Sequence, residues 1–378
     1  MEGIYDIIMK ETYSRNLYLT DVYSPFYISS YALHQFNLHN IKTPNHVLWQ
    51  AKEVPNMRLH LIMVAPPGFM KTHYLKAFAG TSYSIFTNTN VPIAHRQNMN
   101  EASFVGTFQQ RGDRVTERDG IARTFSEGIV AIDEFDAINN AMKSSYNNQF
   151  ETQLLAALDH GEIFKDMASD SFGYTTYLTM WGGIQPTRFD MSAGLGRRFC
   201  YMVFVPSPED NAALRNTIHC SYNMQVNMHD LNDLHYKIKE FNASIKKIKR
   251  VHMDDSLNEF YEKENLFCHE STNFNKIAIG YNIAKYGAEQ EVTVGIFDEQ
   301  LKRILRQEKA WRDDIQQGID FRMIVMLLGR HGGEASAQTI ITDCMMYGWN
   351  ASIVGTIIKN MVDAGYLVRR GGVVKLQL

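Results

Sequence analysis

The sequence predicts an α/β fold in which a parallel β-sheet is sandwiched by helices, followed by a helical region and a small carboxyl-terminal module. Residues 59–64 and 129–132 are two short apolar runs, and such runs are typical of parallel strands buried on both faces. Each run is followed at once by polar residues, at the strand end where open α/β sheets bind ligands. Near the carboxyl end, two apolar segments joined across Gly371-Gly372 indicate a tight β-hairpin.

The first apolar run leads into a segment with the spacing of a phosphate-binding loop, after which a helix begins. This segment is Ala65-Pro66-Pro67-Gly68-Phe69-Met70-Lys71-Thr72. In such a loop, backbone N–H groups and the helix N-terminus hold the phosphates, Lys71 reaches the β- and γ-phosphates, and the Thr72 hydroxyl ligates Mg²⁺. Two glycines of the general pattern are replaced, by Ala65 and Met70, and we expect the Met70 side chain to lie close to the nucleotide. The loop predicts ATP and Mg²⁺ as cofactors.

The second apolar run ends in two adjacent carboxylates, Asp133 and Glu134. One carboxylate at this position can orient the metal shell while the next polarises a water molecule, which is what ATP hydrolysis on Mg²⁺ requires. We therefore expect Asp133 to bind the metal with Thr72, and Glu134 to be catalytic. A strand followed by an acidic loop of no catalytic role is the alternative, and the phosphate loop upstream argues against it.

These motifs together resemble the minichromosome maintenance (MCM) replicative helicases of the AAA+ class, over about residues 55–205. The tetrad Asp133-Glu134-Phe135-Asp136 resembles the Walker B signature of that family. The family's phosphate loop also carries a small non-glycine residue just before its lysine. The resemblance implies an AAA+ P-loop ATPase core over residues 1–205, which forms a ring oligomer, expected to be a hexamer.

Two further segments of this core resemble parts of the family's active ring. Residues 158–167 resemble the hairpin that precedes sensor 1, so Lys165 inherits a contact with DNA in the ring pore. Residues 177–186 resemble the sensor 1 strand and its loop. Gln185 stands where the family has an asparagine, and its amide offers the same donors and acceptor on a longer arm, so we expect Gln185 to be catalytic.

The resemblance also implies contributions from an arginine finger and a lid domain. Arg198, directly before a phenylalanine and an apolar strand, resembles a finger that stabilises phosphoryl charge in a neighbouring subunit. An ordinary solvated arginine pair with Arg197 is the alternative. Residues 206–317 have a helical pattern and correspond to the lid, where Lys276 is the candidate second sensor on ATP. Arg303 and Arg306 are alternative candidates for that role.

Residues 318–378 have the element order of a winged helix, three short helices followed by two strands. Arg369 and Arg370 on the hairpin, with Lys359 in the third helix, can touch DNA phosphates. The segment holds six Lys/Arg and four Asp/Glu, so its positive excess is small. Contacts with proteins remain the alternative role for this winged helix.

Composition agrees with an ordered protein of two or three domains, since 45% of the 378 residues are apolar. No apolar run reaches about 18 residues and the amino terminus lacks a secretory signal, so we expect a cytoplasmic protein without a membrane partner. The four cysteines form no C-x-x-C pair, and the histidines show no metal spacing. Because the formal net charge is −3, contacts with DNA have to be local.

Two functions are compatible with these motifs. The first is an MCM-like ATP-dependent DNA helicase or translocase of DNA replication, whose partners are DNA, other copies of itself and possible replication proteins. The second is an ATP-gated DNA-binding initiator, loader or scaffold with little or no unwinding activity. Only about 55 residues precede the phosphate-loop strand, so we expect a minimal relative that lacks the family's amino-terminal domain.

Overall fold

The computed structural model describes residues 3–42, 56–80, 83–97, 99–111, 114–143, 149–166, 171–186, 195–221, 228–266 and 268–377. Helices before residue 318 are α1 Ile4–Ser14, α2 Thr20–Lys42, α3 Lys71–Ala79, α4 Glu101–Phe104, α5 Ile121–Thr124, α6 Phe135–Lys143, α7 Phe150–Asp159, α8 Pro208–Ser221, α9 Met228–Ile245, α10 Asp255–Lys263, α11 Cys268–Tyr286 and α12 Glu299–Gln317. Strands in the same part are β1 His60–Val64, β2 Ile93–Arg96, β3 Gly106–Arg111, β4 Arg114–Asp119, β5 Ile129–Ile132, β6 Glu162–Asp166, β7 Ser171–Thr175, β8 Thr179–Ile184, β9 Phe199–Val203, β10 Arg250–Met253 and β11 Glu291–Val294.

Five parallel strands form the central sheet in the order β2-β5-β8-β1-β9. Every residue of β1, β5, β8 and β9 is buried. Burial on both faces is why the sequence shows continuous apolar runs instead of an alternating pattern. The predicted parallel α/β sheet flanked by helices is confirmed.

Residues on both sides of the predicted boundary at 205 share one hydrophobic core. Buried apolar residues of α1, α2 and the sheet belong to the same cluster as those of α11 and α12. Trp311 of α12 stacks on Tyr23 of α2, with ring centroids 5.3 Å apart and 9° between the ring planes. The helical region 206–317 also contains a short parallel pair, β10 with β11, that its helical pattern does not predict. This region packs as one body with the sheet.

A buried arginine caps the C-terminus of helix α7 and links this helix to the sheet. The Arg58 side chain is only 2% exposed. Its guanidinium donates to the carbonyl oxygens of Ala157, Leu158 and Asp159, at 2.8, 3.0 and 3.1 Å. These carbonyls belong to the last helical turn, where backbone acceptors have no partner within the helix and a cation is favourable. Arg58 thereby fixes the end of α7 against the start of β1.

Two antiparallel hairpins, β3 with β4 and β6 with β7, lie side by side. Phe108 of the first meets Phe172 of the second edge-to-face, with ring centroids 5.4 Å apart. The Tyr174 hydroxyl of the second donates to the carbonyl oxygen of Val105, at 2.7 Å. Residues 167–170, between β6 and β7, lie outside the described residues. The sequence pattern predicts the second hairpin but not the first.

Residues 318–377, here called the C-terminal module, have a hydrophobic core of their own. Their elements are α13 Ile319–Arg330, β12 Glu334–Ser336, α14 Ala337–Met346, α15 Ala351–Asp363, β13 Leu367–Arg370 and β14 Val373–Leu376. Strands β12, β14 and β13 form an antiparallel sheet in that order. Gly371 and Gly372 have φ of +56° and +86°, as a two-residue type I′ hairpin requires. Beyond the three expected helices and two strands, β12 is an additional strand.

Across the part of the chain that the structure describes, no helix is both long enough and apolar enough to cross a membrane.

Candidate functional site

The candidate site lies where three neighbouring strands of the sheet end. In β5 and β8, Ile132 is opposite Gly182, and in β1 and β8, Val64 is opposite Ile184. The phosphate loop after β1, the carboxylates after β5 and Gln185 after β8 therefore emerge at one edge. This is the edge at which a parallel α/β sheet binds ligands.

The phosphate loop joins β1 to α3 through a backbone with two residues of positive φ. Gly68 has φ of +77°, which favours glycine, and Met70 has φ of +35° at the N-cap of α3. The Met70 side chain is 7% exposed and belongs to the core. The turned backbone thus places this side chain in the core, and its closeness to a bound nucleotide stays a prediction.

Lys71, the first residue of α3, turns its ammonium back onto its own loop. Nζ donates to the carbonyl oxygens of Ala65 at 2.6 Å and Pro66 at 2.7 Å. Burial lowers the pKa of Lys71 to about 8, although the carboxylates of Asp133 and Asp136 act to raise it. A buried ammonium held only by carbonyl dipoles is suited to exchange these partners for anionic oxygens.

Asp133 is held by groups from both flanking elements. Its Oδ2 lies 3.3 Å from Nε2 of His95, which projects from the adjacent strand β2. Burial raises the pKa of Asp133, but the interactions with His95 and with the Thr72 hydroxyl outweigh burial, so the pKa is lowered. The other oxygen, Oδ1, is buried and has no hydrogen-bond partner among the described residues. Asp133 thus presents one ionised oxygen that still requires a cation or a donor.

Glu134 and Gln185 complete the edge on either side of Asp133. Glu134 is exposed, and its backbone N–H donates to the carbonyl of Gln97 at 3.0 Å, which fixes the chain as it leaves β5. Gln185 is half-buried directly after β8. A side chain at Gly183 would place its Cβ 3.1 Å from both the Asp133 carbonyl oxygen and the Lys71 Cβ. Glycine at this position lets the loop, the carboxylates and Gln185 approach one another.

These residues fit a nucleotide bound with Mg²⁺. Lys71 already bonds two oxygen acceptors, the Thr72 hydroxyl meets Asp133, and the buried Oδ1 of Asp133 is a hard oxygen ligand without a partner. Lys71 and the loop amides would hold phosphate oxygens, whereas Thr72 and Asp133 would hold the metal. Two of the eight loop residues are prolines, Pro66 and Pro67, so the loop has fewer amide donors than a glycine-rich one.

A second group of predicted residues lies at the opposite side of the sheet, where the parallel strands begin. Arg198 precedes β9, and its guanidinium pairs with the carboxylate of Asp159. Arg198 and Lys276 both line a cavity of about 700 Å³ that also contains His60, the first residue of β1. The phosphate loop follows Val64, the last residue of the same strand. At the usual rise per residue, Val64 lies about 13 Å from His60. The structure therefore does not bring Arg198 or Lys276 to the phosphate loop of their own subunit.

Lys276 is a cation of this second cavity whose pKa is lowered. Burial and, to a smaller extent, the charge of Arg58 lower its pKa to about 8, while Asp159 acts in the opposite direction. Neither alternative sensor lies in this cavity, since Arg306 pairs with Glu264 and Arg303 lines a small recess beside α2. Among the three candidates, only Lys276 shares a cavity with Arg198.

Lys165 lies on the inner face of its hairpin. Its ammonium is 2.8 Å from Oε1 of Glu101 and 3.3 Å from the carbonyl oxygen of Gly106. Both charged side chains are largely buried. The neighbouring Phe164 points the opposite way and is exposed. A contact of Lys165 with DNA therefore stays a prediction, and it requires the pair with Glu101 to open.

The predicted DNA-contact residues of the C-terminal module are all exposed, Lys359 on α15 and Arg369 and Arg370 on β13. Another part of this module touches the phosphate loop. Tyr347, at the end of α14, stacks on Phe69 of the loop with ring centroids 6.0 Å apart. This contact and the His95–Asp133 pair were not anticipated, since each joins residues that are distant in sequence.

Comparisons with known proteins identify the domain that contains the site. Residues 61–169 match a family model described as AAA, ATPase family associated with various cellular activities. The matched segment contains Lys71, Asp133 and Glu134 and ends before Gln185. Together with the five-stranded parallel sheet, it identifies an α/β AAA+ P-loop fold with an ATPase domain. A search of curated proteins gives no match to the chain.

Proposed function

We propose that this protein is an MCM-like ATP-dependent DNA translocase or helicase that acts in DNA replication as a ring of identical subunits, most simply a hexamer. The observation that supports the proposal is the separation of the proposed catalytic residues between the two ends of the parallel strands. Lys71, Asp133 and Gln185 are at one end and Arg198 is at the other. A guanidinium at that distance from its own phosphate loop serves catalysis only by reaching a neighbouring subunit.

Within one such interface each residue has a distinct task. Bound Mg²⁺ would supply charge neutralisation on the phosphate oxygens. Thr72 and Asp133 would hold the metal, Glu134 would accept a proton from the attacking water, and Gln185 would orient that water. Because Glu134 is exposed, solvent water reaches it.

Arg198 from the adjacent subunit would stabilise charge that develops on the transferred phosphoryl group. Lys276 shares its cavity and would contact the same nucleotide, so we place both residues in trans. Assembly would have to release Arg198 from Asp159 or carry the pair together into the interface. Hydrolysis in this proposal therefore depends on assembly.

Contact with DNA would come from two regions. The hairpins β3–β4 and β6–β7 are joined by the Phe108–Phe172 contact, and Lys165 belongs to the second of them. The C-terminal module has the element order of a winged helix and presents Arg369 and Arg370 on an exposed strand. Other replication proteins are the alternative ligands of that module.

Strand separation on a forked duplex tests the proposal. We expect ATP-dependent unwinding by the wild type and none by Glu134→Gln, which keeps the fold and the nucleotide but removes the proton acceptor. Unwinding that persists in Glu134→Gln would contradict the proposed mechanism. ATP-dependent DNA binding without unwinding would indicate the second candidate, an ATP-gated initiator, loader or scaffold. The Lys71 ammonium held by its own loop and the Tyr347–Phe69 contact favour this candidate.

A further inference from the structure

The C-terminal module is docked on the phosphate loop of its own subunit. The Phe69 ring packs between Phe204, which follows β9, and Tyr347, which ends α14, with centroids 5.8 and 6.0 Å away. The Tyr347 hydroxyl accepts a hydrogen bond from Nδ2 of Asn211 in α8, at 3.0 Å. Tyr347 is almost fully buried. The contact thus combines aromatic packing with a hydrogen bond.

Gly348, the next residue, brings the module's backbone against the loop. A Cβ at Gly348 would lie 2.9 Å from Cγ and 3.1 Å from Cδ of Pro67, and 4.0 Å from Oε1 of Gln185. Gly348 has φ of +89°, so the turn after α14 needs glycine for its conformation as well as for its clearance. The Tyr347–Gly348 turn therefore lies beside both the phosphate loop and the candidate sensor glutamine.

We propose that the Tyr347–Gly348 turn is a gate on the nucleotide site, which keeps the phosphate loop in its closed form until the C-terminal module lifts. While the turn is docked, Phe69 is clamped and the loop keeps the Lys71 ammonium on the carbonyls of Ala65 and Pro66. Nucleotide entry and release require the clamp to open. Any ligand that pulls on the C-terminal module thereby alters nucleotide exchange. The gate rests on nucleotide binding at the phosphate loop and goes beyond the proposed DNA motor.

A pair of glycine variants tests the gate. Gly348→Ala adds a methyl group that collides with Pro67, whereas Gly333→Ala introduces alanine at a similar φ of +93° in the same module with no atom within 4 Å. Backbone strain is thus matched, and only the contact with the loop differs. The readouts are hydrogen–deuterium exchange of amides in residues 68–71 and stopped-flow association and dissociation of a fluorescent ATP analogue.

We expect Gly348→Ala to raise loop exchange and both nucleotide rates by roughly threefold to tenfold over Gly333→Ala, the range that one aromatic contact supplies. Asn211→Ala removes the hydrogen bond to Tyr347, together with the one that Nδ2 donates to the Ser207 carbonyl oxygen, and it should raise the same rates by a smaller factor. It serves as the second variant if Gly348→Ala does not fold.

Equal loop exchange in Gly348→Ala and Gly333→Ala, with Asn211→Ala also unchanged, would refute the docking as a restraint on the loop. Faster loop exchange with unchanged nucleotide rates would refute the gate. Failure of the wild type to bind the analogue would refute nucleotide binding and the gate with it, while loop exchange would still report on the docked turn.

Discussion

His95 and Asp133 face each other across neighbouring parallel strands, with Nε2 of the imidazole 3.3 Å from Oδ2 of the carboxylate. His95 has no predicted role, yet its imidazole lies within ion-pair distance of the candidate metal ligand. Its contact leaves Oδ1 of Asp133 as the oxygen without a partner. An imidazole placed behind a metal-binding carboxylate fixes the orientation of that carboxylate.

We predict that His95→Ala lowers the apparent Mg²⁺ affinity of ATP hydrolysis by about 10- to 100-fold, as loss of groups behind a metal ligand usually does. Titration of ATPase activity against Mg²⁺ measures this effect. His331→Ala is the matched control, because it removes another His–Asp pair, with Asp343 at 2.7 Å, in the C-terminal module. An unchanged Mg²⁺ requirement in His95→Ala would contradict the assignment.

Lys71→Ala should weaken ATP binding on the order of 100-fold, because it removes a charge-assisted contact with the phosphates. Lys76→Ala, an exposed lysine on the same helix, is the control and should bind normally. Equilibrium binding of a fluorescent ATP analogue provides the measurement. Equal affinities for the two variants would show that the phosphates bind elsewhere.

Arg198→Ala should bind ATP normally but lose hydrolysis, because the residue serves a neighbouring site. Mixing it with Glu134→Gln should restore part of the activity, since some interfaces then combine an intact Glu134 with an intact Arg198. ATPase assays over a series of mixing ratios measure the recovery. If co-assembly is demonstrated and no activity returns, the trans role of Arg198 fails.

Lys165→Ala should leave basal ATPase unchanged and reduce its stimulation by DNA. Glu101→Gln should act in the opposite direction, because it releases the Lys165 ammonium from its 2.8 Å pairing and makes the charge available to phosphate. Both variants are compared in ATPase assays with and without single-stranded DNA. Equal stimulation by DNA in the two variants would show that Lys165 does not contact DNA.

The buried ammonium of Lys276 predicts a pH-dependent stability. Its pKa falls from 10.5 to about 8 on folding, mainly through burial. Between these values the unfolded chain binds a proton that the folded chain does not, so stability rises with pH across this window. Relative to Lys276→Met, the wild type should therefore gain unfolding free energy from pH 8 to 10. Denaturant unfolding at both pH values measures this gain. An equal change of the unfolding free energy with pH in the two proteins would contradict the lowered pKa of Lys276.

Local sequence was sufficient for the sheet and for the placement of the candidate site. The strands are buried on both faces and are mostly apolar. Asp133 and Gln185 directly follow β5 and β8, and Lys71 follows β1 after the loop of residues 65–70. Strands that are parallel and adjacent end together, which brings these three residues to one edge without further information. The two-glycine hairpin of the C-terminal module could also be predicted from the sequence, since both of its turn positions need positive φ.

What the sequence did not reveal depends on contacts between distant segments. His95 lies on an edge strand of only four residues, and its meeting with Asp133 follows from the strand order. Lys165 was expected to contact DNA, and its pairing with Glu101, which comes from a separate short helix, could not be foreseen. Likewise, nothing local to Tyr347 indicates that its ring packs on Phe69. Such pairings are set by tertiary packing, which short-range patterns do not encode.

The most direct test of the central claim is steady-state ATP hydrolysis by the wild type and Glu134→Gln, with and without single- and double-stranded DNA, over a range of protein concentrations. A DNA-stimulated rate per subunit that rises cooperatively with protein concentration and is lost in Glu134→Gln is the predicted result, because each site is completed by a neighbour. A rate per subunit that is independent of both protein concentration and DNA would contradict the ring motor.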